Sequence, residues 1–161
     1  MSRIVQVGMA DLKTANPPDK LMTAGLGSCV GVCLLDKINR VAGMVHVMLP
    51  SSIQARNNQN RAKFADSGIT SLLEEMEKIG AGRNRIVAKI AGGAQMFKFS
   101  EESSIMKIGE RNTAAVLETL SGYRIPLLAN DTGGNYGRTI VFDAQTGELL
   151  VRTIGYGERV I

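Results

Sequence analysis

The chain is poor in the side chains that most often carry chemistry. It has one histidine, His46, two cysteines, Cys29 and Cys33, and no tryptophan in 161 residues. A four-coordinate zinc site of Cys and His ligands is excluded, because three such side chains cannot fill four positions. A disulfide framework is excluded as well. The Cys-x-x-x-Cys spacing is neither a Cys-x-x-Cys redox pair nor a good zinc half-site, and two free thiols suit a reducing compartment. Aromatic residues make up only 4% of the chain, too few for a base-stacking platform. The net charge of +4 therefore reads as a mildly basic, solvated surface, and the densest basic cluster is just Arg56, Arg61 and Lys63. No apolar run reaches the length of about 18 residues that a membrane helix needs. The N-terminal residues lack the apolar core of a signal peptide. Together these absences lead us to expect a cytoplasmic protein with no metal, no nucleic acid and no membrane insertion. Any step that needs an imidazole must use His46.

What is present fits one mixed α/β domain spanning residues 1–161. Strands are expected at 3–9, 21–36, 41–50, 85–91, 124–129, 138–143 and 148–154. Pro17 and Pro18 preclude a regular helix or central strand between the first two. From Ala65 the apolar residues Ile69, Leu72, Leu73, Met76 and Ile79 recur at spacings of three and four, the mark of an amphipathic helix. Gly80 and Gly82 follow, where a helix end favours a left-handed residue. A second helix is expected around Ala115, Val116, Leu117 and Leu120, with Asn112 or Thr113 as its cap and Gly122 beyond its end. The Gly92-Gly93-Ala94 and Asp131-Thr132-Gly133-Gly134 segments read as turns that need positive φ, since neither matches a phosphate-binding fingerprint.

Every Cys and His in the chain falls in the hairpin expected over 21–50. If Asp36 faces Asn39 across the turn, Cys29 lies directly opposite His46, with Cβ atoms roughly 4.5–5.5 Å apart. If Asp36 faces Val41, the two are diagonal neighbours on one face. If it faces Arg40, they fall on opposite faces unless a bulge intervenes. Two readings of the pair stand open. A cysteine beside an imidazole is an activated nucleophile, because the ring accepts the thiol proton. The glycines of Gly25-Leu26-Gly27-Ser28-Cys29 permit a tight turn that aims backbone N–H groups at a developing oxyanion. Thr23 is the nearest upstream group able to orient the imidazole. The other reading is a buried cysteine and a core histidine, flanked by Met44 and Met48. Cys33 has no glycine-rich approach and is expected to be core.

The run Thr23-Ala24-Gly25-Leu26-Gly27-Ser28-Cys29-Val30-Gly31 resembles the CheD family of chemoreceptor glutamine deamidases. The likeness continues in Gly43-Met44-Val45-His46-Val47-Met48-Leu49-Pro50, in Lys63-Phe64-Ala65-Asp66 and in the stretch from Ala88 to Phe97. It returns in Ile108-Gly109-Glu110-Arg111-Asn112, in Asn130-Asp131-Thr132-Gly133-Gly134 and in Gly137-Arg138. These motifs stand in order over about 20–153, a far more specific signal than any one glycine-rich loop.

The resemblance implies a layered β-sandwich flanked by about two main helices (α/β in the α+β sense), similar to the catalytic fold of deamidating toxins. It implies that Cys29 is the nucleophile, His46 the base and Thr23 the group that orients it, with Gly27 and Ser28 at the bound substrate. It implies no cofactor. The implied substrate is a glutamine side chain on a methyl-accepting chemotaxis receptor, with receptor methyl-ester hydrolysis as a second activity. A CheC-like phosphatase is the implied partner. A different class of function also follows: a non-catalytic regulator that docks and stimulates that phosphatase.

Overall fold

The computed structural model describes residues 2–96 and 107–161; Phe97, the last residue of one motif above, lies outside them. Among these residues, ten strands form two five-stranded sheets. In chain order they are β1 (Ile4–Gln6), β2 (Leu12–Ala15), β3 (Lys20–Leu26), β4 (Val30–Asp36), β5 (Val41–Val47), β6 (Val87–Gly92), β7 (Leu127–Thr132), β8 (Arg138–Asp143), β9 (Leu149–Thr153) and β10 (Gly157–Val160). The first sheet has the order β1-β3-β8-β9-β10 and the second β2-β5-β4-β6-β7. Two helices, α1 (Ala65–Lys78) and α2 (Ile108–Gly122), complete the fold. The layered sandwich with two main helices is the expected architecture.

Alternation along β4 and β5 explains the layering. Val30, Val32 and Leu34, with Val41, Val45 and Val47, pack against Ile69, Leu72, Leu73 and Met76 of α1 and Val116 and Leu120 of α2. The residues between them, including Cys33, Leu35, Ala42 and Met44, point the other way, into a second core shared with Leu21, Leu26, Ile140, Phe142 and Val151 of the first sheet. Every residue of β4 and β5 is buried. Strands covered on both faces read as continuous apolar runs, which is why this region lacks a polar–apolar alternation. The parallel pairing of β6 with β7 needs a crossover, and α2 lies within that connection. No helix among the described residues is long and apolar enough to cross a membrane.

The expected strand at 21–36 is two strands in different sheets. β3 pairs with β8, and its register slips between Thr23 and Leu26, where Gly25 has φ 72°. The chain then crosses to the other sheet through Gly27, Ser28 and Cys29 and resumes as β4. The hairpin is therefore β4–β5. Asp36 faces Val41, not Asn39, and Gly31 faces His46. The Asp36 carboxylate sets this longer turn by accepting the N–H groups of Ile38 (3.0 Å) and Asn39 (3.1 Å). Gly31, opposite the imidazole, lets the facing sheet approach closely: a Cβ there would stand 2.6 Å from Ile140 Cδ1, and that side chain would have to shift.

Candidate active site

His46 lies on the face of β5 that looks into the space between the sheets. Its side chain is fully buried, and its Nδ1 is 2.7 Å from Thr23 Oγ1 on β3. Thr23 Oγ1 is also 2.7 Å from the Val7 carbonyl oxygen. That second contact settles the direction of the first. A carbonyl can only accept, so the single hydroxyl proton of Thr23 goes to Val7, and Thr23 must accept from His46. The ring is thus the Nδ1–H tautomer, which leaves the lone pair on Nε2. Nε2 is buried and has no hydrogen-bond partner among the described residues. Burial holds the imidazole below its ordinary pKa of 6.5, so it is neutral at physiological pH.

Cys29 sits at the point where the chain passes from one sheet to the other. Extending the β4–β5 register by one residue beyond Val30↔Val47 puts it beside Met48 and diagonal to His46, on the same face. Only 8% of its surface is exposed. Burial raises its thiol above the ordinary 9.0, while its own backbone N–H, close to the sulfur, pulls the other way. Burial thus disfavours the charged form of each group, the thiolate as much as the imidazolium.

The loop that carries Cys29 is held from outside at three consecutive carbonyls. Ala94 N–H donates to Gly27 O at 2.8 Å, and Gly93 N–H donates to Cys29 O at 2.8 Å. Between them, Asn112 Nδ2 donates to Ser28 O at 3.0 Å. Gly92 has to be glycine here: its φ is 115°, and a Cβ would stand 2.2 Å from the Cys29 oxygen. Gly27 and Ser28, expected beside the substrate, are half-buried in this loop. Next to it, a cleft of about 300 Å³ is bounded by Gly93, Gln95, Glu110 and Thr113.

Other expectations resolve simply. Cys33 is fully buried in the inter-sheet core, and burial drives its thiol far above the ordinary value. Asp131 is tied to Arg138 (3.0 Å) and Arg159 (2.9 Å). Gly92, Gly93, Gly133 and Gly134 all have positive φ, as the turn reading requires. Asn112, expected as a cap, lies inside α2, which begins four residues earlier at Ile108. A signal for it was present: it shares the apolar stripe of Val116 and Leu120 at spacings of four, so a polar side chain sits where a core residue belongs. Arg138, also fully buried, was missed; its guanidinium reaches Gly92 O at 3.3 Å and braces the turn beside Cys29.

Residues 48–153 match the family model described as CheD chemotactic sensory transduction. A protein of Syntrophomonas wolfei is 65% identical over 161 residues, all of both chains, and is named a probable chemoreceptor glutamine deamidase CheD. The chain belongs to the CheD family. A relative in Lachnoclostridium phytofermentans with the same name is 52% identical over the full length of both chains, and one in Caldanaerobacter subterraneus is 55% identical over 160 residues, 99% of each. Thr23, Cys29 and His46 precede the segment matched by the CheD family model, and the full-length relatives span them. Among solved structures, a Neisseria meningitidis protein of the DUF152 family superposes with a TM-score of 0.54 over 87% of this chain and 74% of its own. Sequence identity there is 6%, so the likeness concerns the fold alone.

Proposed function

We propose that this CheD-family protein is a protein-glutamine deamidase that converts receptor glutamine side chains to glutamate, with Cys29 as nucleophile, His46 as general base and acid, and Thr23 as the residue that fixes the imidazole. The single observation that carries this reading is the His46 ring itself. Its Nδ1–H is committed to Thr23, while its Nε2 lone pair is buried, free and on the face that Cys29 shares. The names of the full-length relatives supply the substrate class.

The chemistry closes with water as the co-reactant. Nε2 takes the proton from the Cys29 thiol as sulfur attacks the glutamine Cδ, and the amide oxygen becomes an oxyanion held by the backbone N–H groups of Ser28 and Cys29. As the oxyanion collapses, the C–N bond breaks and the proton on Nε2 passes to the departing nitrogen, releasing ammonia and leaving a thioester. Water then gives a proton to Nε2 and attacks the thioester carbonyl. The C–S bond breaks, glutamate is released and the proton returns to sulfur. A glutamate methyl ester can enter the same sequence, with methanol as leaving group.

Burial, which disfavours the charged form of each group, suits this order of events: Nε2 takes the thiol proton in concert with sulfur's attack on an electrophilic carbon. Incubation with receptor cytoplasmic fragments, read as the Gln-to-Glu mass shift, tests the reading. Cys29→Ala should abolish the shift, and His46→Ala should slow it by about 10²–10⁴-fold. Full turnover in a folded Cys29→Ala protein overturns the proposal. If that variant still supports regulation of a CheC-like phosphatase, docking is a separate role of the same chain.

A further inference from the structure

We infer that Asn112 is a positioning residue for the oxyanion donor: its amide fixes the Ser28–Cys29 peptide so that the Cys29 N–H faces the reacting carbonyl. The inference rests on the reading of Cys29 as nucleophile and goes beyond it to the group that aims the loop.

Asn112 is fully buried on α2, and its Nδ2 donates to two carbonyl oxygens, Ser28 O at 3.0 Å and Met48 O at 2.9 Å. Both partners can only accept, so the amide has one orientation, with its two N–H groups toward the loop. A peptide unit is planar and its C=O and N–H point in opposite directions. Holding Ser28 O therefore also fixes where the Cys29 N–H points. Donation to the carbonyl polarises that peptide further and strengthens its N–H as a donor.

The flanking contacts give the same direction. The carbonyls of Gly27, Ser28 and Cys29 are held by Ala94, Asn112 and Gly93, while among the described residues the N–H groups of Ser28 and Cys29 donate to no backbone carbonyl. Three acceptors are turned toward the scaffold, and the donors between them are left for a ligand. The second partner couples this loop to the base. Met48 stands two residues beyond His46 and, in the extended β4–β5 register, opposite Cys29. One side chain thus ties the nucleophile's peptide to the end of the strand that carries the imidazole.

Asn112 also carries a structural cost that argues for a positional role. Its Oδ1 is buried and accepts no hydrogen bond among the described residues. The residues one and two turns along the same face, Val116 and Leu120, are apolar. An apolar side chain would avoid the orphaned oxygen, but it could not hold the two carbonyls.

The test compares Asn112→Leu and Asn112→Asp with the unaltered protein in three measurements: thermal melting, deamidation kinetics on a receptor fragment, and alkylation of Cys29 by iodoacetamide followed by mass spectrometry. Alkylation is a displacement at carbon that builds no oxyanion, so it reports the thiol without the donor. The expected result in a folded variant is a fall in kcat of about 10²–10³-fold, with KM and the alkylation rate unchanged. An unchanged kcat overturns the inference. So does a parallel loss of alkylation and turnover, or failure of both variants to fold, because Asn112 would then serve the loop or the fold as a whole. Cys29→Ala in the same assay keeps the two readings apart. Turnover in Cys29→Ala sinks the nucleophile assignment, whereas full turnover in Asn112→Leu sinks only the positioning role.

Discussion

At the scale of single residues, the orienting group behind the imidazole is neutral. An aspartate in that place would raise the pKa of the ring by stabilising its charged form, whereas Thr23 only selects the tautomer. The direction of the His46 shift agrees: burial lowers it, and no carboxylate opposes the effect. Burial therefore favours the neutral ring, the form able to accept a proton. Thr23→Ala should keep the fold and lower turnover by roughly 10- to 100-fold, the usual cost of losing an outer hydrogen-bond partner. Because the chain has one histidine, nitrogen-15 NMR of the imidazole needs no assignment. The expected spectrum is that of an Nδ1–H ring in the folded protein, shifting toward an exchanging mixture of tautomers in Thr23→Ala. An Nε2–H spectrum in the unaltered protein would refute the direction assigned to the Thr23–His46 hydrogen bond.

At the scale of elements, the turn after β4 sets the register that places Cys29 relative to His46. Asp36 accepts from Ile38, Asn39 and, at 2.7 Å, from Gly82 N–H, so one carboxylate joins the β4–β5 turn to the segment after α1. Burial alone would raise its pKa, but the Gly82 and Asn39 N–H groups and the Arg85 guanidinium outweigh it and bring it below 3.8. Asp36→Ala leaves three N–H groups without their acceptor. The expected loss is about 1–3 kcal/mol for each group that water cannot reach, measured as a lower midpoint in urea. A carboxylate buried in this way is hard to see in a sequence, because Asp at the end of an apolar run reads as an ordinary turn residue. That is why the register was left open among three choices while the hairpin itself was legible. The sheet change at Gly27-Ser28-Cys29 was hidden for a related reason. Only Gly27, Ser28 and Cys29 separate β3 from β4, with no proline or charged residue among them, so nothing in the sequence breaks the run where the chain crosses over. Helix α1 was legible almost to the residue, since its buried stripe follows a helical period without interruption. The short β2 and the exposed β10 carry little pattern and owe their form to the strands they pair with. Cys29, His46 and Thr23 are legible through scarcity and motif; Asn112 shows only as a polar residue on an apolar stripe and Arg138 not at all, since their partners lie 84 and 46 positions away in the chain.

At the scale of the whole molecule, the same buried groups shape the dependence of stability on pH. His46 has a lowered pKa in the folded state, so between that value and 6.5 the unfolded chain binds a proton that the folded one does not. Its contribution is present above pH 6.5 and is lost as pH falls through the folded value. Cys29 and Cys33 act in the opposite sense. Their folded pKa values are raised, so their contribution is present below 9.0 and is lost as pH rises above it, where unfolded thiols ionise first. The expected profile of melting temperature is a plateau between about pH 6.5 and 9 that falls on both sides. With a single imidazole in the chain, the first acid step should vanish in His46→Gln. Its persistence in that variant would show that another group titrates there.

The Thr23–His46 hydrogen bond spans the interface between the two sheets, with the threonine on one and the imidazole on the other. Neither sheet fixes the imidazole by itself. A partly folded state that keeps its strands but lets the sheets drift apart would release Nδ1, scramble the tautomer and fall silent while its far-ultraviolet circular dichroism stayed native-like. On the proposed mechanism, turnover would then report how the two sheets dock, and a newly made chain would gain activity only at its last act of assembly.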